Sequence, residues 1–147
     1  HMINDHIKAT GRLDIVLYDK NHQIKQEIHV PNLVVTVGKN FIADRMVGTA
    51  SNVMSHMAVG TSNANLAAAN TTLDAQSARV ALTSATRENN TVTYVGDFEA
   101  GVATDALVEA AIFNASSNGT MLCRTTFPVI NKEASDYLTI NWVVTIS

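Results

Sequence analysis

The stretch from Tyr137 to Ile146 alternates with a period of two. Leu138, Ile140, Trp142, Val144 and Ile146 fall on one side, Thr139, Asn141 and Thr145 on the other, and Val143 is the one break in the polar side. That pattern predicts a strand with one dry and one wet face, and the dry face needs a second layer to cover it. The pattern recurs near the start, where Leu13, Ile15 and Leu17 share a face. After the polar turn Asp19-Lys20-Asn21-His22, Ile24, Gln26, Ile28 and Val30 oppose Lys25, Glu27 and His29. Two such runs across a short turn predict an antiparallel hairpin, ended by Pro31 because proline cannot donate to a ladder.

Further strands are expected at Ser55 to Val59, at Ala78 to Arg87 and Thr91 to Phe98 around Glu88-Asn89-Asn90, and at Ala106 to Asn114 and Thr120 to Phe127. The last pair flanks Asn118-Gly119, the strongest short turn signal in the chain. One helix is expected over about residues 37–47, where Val37, Phe41, Ile42 and Met46 recur at helical spacing, with Thr36 as N-cap and Gly48 as left-handed terminator. Thr61 to Thr72, small and Asn-rich, is expected to be an exposed loop. With roughly eight strands, one short helix and thin turns, the fold class is mainly β, an antiparallel β-sandwich or jelly-roll-like domain.

The chain has 147 residues, enough for a single core, and reads as a flexible N-terminal arm over 1–11, with His1 a cloning scar, and one β-rich domain over 12–147. A net charge of -3 argues against a nucleic-acid binder, which normally shows a basic face. No apolar run is long enough to span a membrane, and Asn4, Asp5, His6 and Lys8 interrupt any signal-peptide core. One cysteine, Cys123, excludes an internal disulfide framework.

The residue types that carry chemistry do not converge in the sequence. His1, His6, His22, His29 and His56 lack metal-ligand spacing. His29 is expected to be exposed on its strand, and His56 to be hydrogen-bonded in the core or at an interface. Cys123, among Met121, Leu122 and Phe127, is expected to be a buried structural thiol. Asp97, Glu99, Asp105 and Glu109 have the count of a paired-carboxylate site without its aromatic lining, so they are expected at solvated strand ends. There is no phosphate loop and no nucleophile elbow. No catalytic residue, cofactor or metal is expected, and the chain is not expected to be an enzyme.

Two regions carry a resemblance. Pro31 to Met46, reading PNLVVTVGKNFIADRM, is similar to an element of tailed-bacteriophage structural proteins that follows a short N-terminal hairpin. The segments Met54 to Thr61, Thr71 to Leu73, Ala78 to Leu82, Glu109 to Ala115, Gly119 to Arg124 and Pro128 to Lys132 resemble the same group. Asn63 to Asn70 departs from it, being Asn-rich where that group is richer in Gly and Pro. The resemblance implies a non-enzymatic virion protein made in the host bacterial cytoplasm. Within it, a capsid decoration (cement) protein comes first and a tail or tail-fibre/collar adaptor second; in either role it would dock on other virion proteins.

A Thr/Asn/Ala-rich surface of low charge suits packing against copies of itself, with a symmetric trimer favoured. Contacts between copies are expected among Val34, Val35, Phe41 and Met57, the apolar residues near the helix, unless the core takes them. A third possibility is a carbohydrate-binding module for host adsorption, which needs a shallow aromatic patch drawn from Tyr18, Tyr94, Tyr137 and Trp142.

Overall fold

The computed structural model describes residues 7–49 and 51–147. The strands are β1 (Ala9–Tyr18), β2 (Ile24–Pro31), β3 (Leu33–Val34), β4 (His56–Gly60), β5 (Gln76–Ala81), β6 (Ser84–Glu88), β7 (Thr91–Phe98), β8 (Ala106–Phe113), β9 (Met121–Asn131) and β10 (Tyr137–Ile146). A single helix, α1, spans Thr36–Met46. The strands form two antiparallel five-stranded sheets, β2-β1-β10-β7-β6 (sheet A) and β3-β9-β8-β4-β5 (sheet B). The expected β-sandwich with one short helix is therefore the fold. No helix among the described residues is long and apolar enough to cross a membrane.

The alternating runs set the inner faces. Leu13, Ile15 and Leu17 of β1 pair in register with Trp142, Ile140 and Leu138 of β10, and all six are at most 2% exposed. Sheet B answers with Met57, Val59, Leu107, Ala110, Ile112 and Cys123, each fully buried. Gly96 lies on the inner face of β7, where an added Cβ would come within 2.6 Å of the Met57 sulfur. The two sheets touch there because that position has no side chain.

Three details differ from expectation. The run Ala78 to Arg87 is not one strand: β5 belongs to sheet B and β6 to sheet A. The exchange takes two residues, as the Leu82 amide donates to Ser55 O (2.9 Å) and the Thr83 amide to Val95 O (2.8 Å). Second, the N-terminal strand begins at Ala9, inside the expected arm, because Lys8 and Ser147 exchange backbone hydrogen bonds at the edge of the β1–β10 ladder; residues 1–6 lie outside the described residues. Third, Thr36 is the first helical residue and not the cap. Val35 holds the cap position without a side-chain bond, and the Thr36 amide donates to Ala68 O at 2.8 Å.

The helix ends as expected. Gly48 has φ +75°, its amide donates to Arg45 O, and the Thr49 amide donates to Asp44 O, a Schellman closure. At the β8–β9 turn, Asn118 and Gly119 both have positive φ, as their sequence predicts.

Candidate functional site

The outer face of sheet B is where the structure departs most from the sequence expectation. Val35, Ala58, Leu73, Ala111, Phe113 and Met121 form a second apolar cluster there. The connection between β4 and β5 lies over this face, with Leu73 only 5% exposed. Under it sit Glu109 of β8 and Arg124 of β9, 0% and 1% exposed, with Arg124 Nη2 at 3.1 Å from Glu109 Oε1. Glu109 is thus not at a solvated strand end, whereas Glu99 and Asp105 are exposed.

Every group in this arrangement has a partner on the connection. Glu109 Oε2 accepts the amides of Ser62 (3.0 Å) and Ala75 (3.3 Å). Arg124 donates to the Ala64 carbonyl from both terminal nitrogens and to Asn70 Oδ1. Gly60 stands opposite Glu109 in the ladder, and a Cβ there would run into Glu109 Oε2 and the Ala75 carbonyl. A buried pair of this kind stabilises only when its remaining donors and acceptors are satisfied, and here the backbone of residues 62–75 and the Asn70 side chain satisfy them. The loop acts as a strap buckled to the sheet by one ion pair. Beside it, the Arg79 guanidinium lies 3.7 Å from the centre of the Phe113 ring and donates to the Ala115 and Asn118 carbonyls.

The residues expected to join copies occupy other places. Val34, Val35 and Met57 are 3%, 0% and 0% exposed, and Phe41 is half-buried against the core. In this fold the first three present nothing to a second copy. The exposed apolar side chains close to α1 are Ile7, Met46 and Val47, each at least 80% exposed. Ile7 and Met46 border a groove of about 640 Å³ between α1 and the ends of β1 and β10, lined also by Ala9, Ile42 and Ile146, with Lys8 and Lys39 as its charged residues.

Cys123 is fully buried; burial pushes its thiol far above the ordinary value, against smaller lowering by the Asn32 side chain and the Ile112 backbone. His29 is exposed and bonded to Asp14 at 2.6 Å. His56 is half-buried, its Nδ1 2.7 Å from Ser55 Oγ. Asp136 is buried; its carboxyl nonetheless lies below the usual range, because Lys25 at 2.7 Å and the Glu133 amide outweigh the upward push of burial.

Of the four aromatic residues considered for a sugar-binding patch, Trp142 is fully buried in the core and Tyr94 packs against the core. Burial and the neighbouring Cys123 push Tyr94 up to about 12. Tyr18 and Tyr137 are brought together on the outer face of sheet A, ring centres 6.4 Å apart.

No trio of His, Cys, Asp and Glu placed to hold a metal ion occurs among the described residues. No protein-family model matches this chain, and no curated protein or solved structure matches it either.

Proposed function

We propose that this chain is a non-enzymatic structural protein of a tailed-bacteriophage virion, a capsid decoration protein that assembles as a symmetric oligomer, with a trimer favoured. The observation that supports self-association is the apolar pole at α1, where Ile7, Met46 and Val47 stand out from a surface otherwise rich in Thr and Asn. Clustered exposed apolar side chains of this kind mark association surfaces. The lysines at the groove, Lys8 and Lys39, suit an acidic neighbour, and the chain itself carries a net charge of -3.

The test is molar mass by light scattering across a concentration series, for the wild type and for Met46→Glu. A wild-type mass of three chains that falls to one chain in the variant supports the proposal. A wild-type monomer at every concentration, together with no binding to assembled capsids, overturns it.

A further inference from the structure

From the corner formed by Tyr18, Tyr137, His22 and Asp97 we infer a binding site for a neutral sugar ring. It lies at the pole opposite α1: Ala9 pairs with Ile146 at one end of the β1–β10 ladder and Tyr18 with Tyr137 at the other, about 30 Å apart at the rise of an extended strand.

Two aromatic side chains meet at an angle. The Tyr18 and Tyr137 planes are inclined at 61°, and His22 lies on Tyr137 from another direction, ring centres 6.5 Å apart and planes at 60°. Both tyrosines are half-buried and His22 is exposed. Such a notch offers one π-face for the C–H side of a pyranose and an aromatic edge beside it. The turn that carries His22 is held by Asp19, whose Oδ1 accepts the amides of Asn21 (2.8 Å) and Gln23 (3.0 Å), while the His22 amide donates to Asp19 O. His22 itself has φ +59°. The backbone of this turn is held in place before any ligand arrives, which lowers the entropy cost of binding.

Asp97 supplies the polar side. Its two carboxylate oxygens accept the Thr83 and Thr139 hydroxyls at 2.6 and 2.9 Å, fixing its orientation on the outward side of β7. A carboxylate oxygen has lone pairs beyond the one each threonine uses, so Asp97 can accept from hydroxyl groups of a ring stacked on Tyr137. Burial, the hydrogen bond to Asp97, and the charges of Asp97 and Glu99 raise the Tyr137 hydroxyl above its ordinary value, against a lowering by Thr139, so it stays protonated. Asp97 and Glu99 together repel anions, which disfavours acidic sugars.

The experiment is amide NMR on the full chain, titrated separately with the methyl glycosides of glucose, galactose, mannose and N-acetylglucosamine, and with glucuronate as the anionic control. At least one neutral glycoside is expected to shift resonances of residues 18–22, 97–99 and 137–139, saturating at millimolar concentration, about 1–10 mM. Asp97→Asn and His22→Asn, the latter a residue that tolerates the left-handed backbone of position 22, are expected to weaken that binding about fivefold or more with spectra that stay folded. The proposal is overturned if no neutral glycoside shifts those residues at about 50 mM, if both variants bind like the wild type, or if glucuronate binds equally well.

Discussion

Arg124→Met tests whether the strap depends on the buried ion pair. Methionine keeps most of the apolar stem of Arg124, so the change removes the charge and its hydrogen bonds while leaving little void. What remains is Glu109 at 0% exposure with two amide donors and no counter-charge. Breaking one side of a buried pair costs about 3–5 kcal/mol, a large share of the roughly 5–15 kcal/mol that holds a domain folded. For a chain of this size that lowers the melting temperature by roughly 6–20 °C. Glu109→Gln strands the Arg124 charge instead and falls in the same range. The double variant behaves differently, because the glutamine oxygen still accepts the Ser62 and Ala75 amides and no charge is left buried. It is expected to be more stable than either single variant. The assay is urea unfolding followed by the emission of Trp142, the only tryptophan. Loss of under about 1 kcal/mol in Arg124→Met, or a double variant no better than the singles, would refute the idea that the pair acts as a unit.

Gly60→Ala places a methyl group against Glu109 Oε2 and the Ala75 carbonyl, and a loss of about 1–3 kcal/mol is expected in the same unfolding assay. Cys123, fully buried with its thiol pushed up by burial, is expected to resist a thiol reagent at pH 8 in the native protein and to react promptly in urea; fast native labelling would contradict the packing. Asp136 has a folded pKa below its unfolded value. Its contribution is therefore present above about pH 4 and lost as pH falls through the folded value. Asp136→Asn should flatten the acid limb of a stability–pH curve and leave its neutral part less stable.

The alternating runs were legible because each has one face in the core and one outside: Leu13, Ile15 and Leu17 and the whole of β10 fall where their periodicity puts them. The helix is displaced from expectation by one residue at each end. Partners joined by a short turn were legible, as β1–β2 and β8–β9 show; partners distant in the chain were not, since a period of two reports which face is dry and not which neighbour supplies the hydrogen bonds. Ala78 to Arg87 reads as one strand for that reason and divides between two sheets. Glu109 was misplaced for a related one. Between Leu107 and Glu109 the partner on β9 jumps from Ile130 to Thr126, and that irregularity breaks simple alternation along β8. The usable signal was chemical: β8 and β9 each carry one charged residue among apolar or uncharged neighbours, of opposite sign. Tyr18 and Tyr137 became neighbours only through the β1–β10 register, which joins residues far apart in the chain.

That ladder also bears on how the protein is made. Sheet A is centred on β1 and β10, so its second strand stays without its main partner until about 130 further residues have left the ribosome. At about 5–20 residues per second the wait is on the order of 10 s, far longer than a hairpin takes to form, about 1–10 μs. During that interval β1 has only β2 as a strand partner, and Leu13, Ile15 and Leu17 lack Trp142, Ile140 and Leu138 beside them. Aggregation during synthesis, and its relief by a chaperone that shields the β1–β2 hairpin, should therefore limit yield more than the stability of the finished domain does.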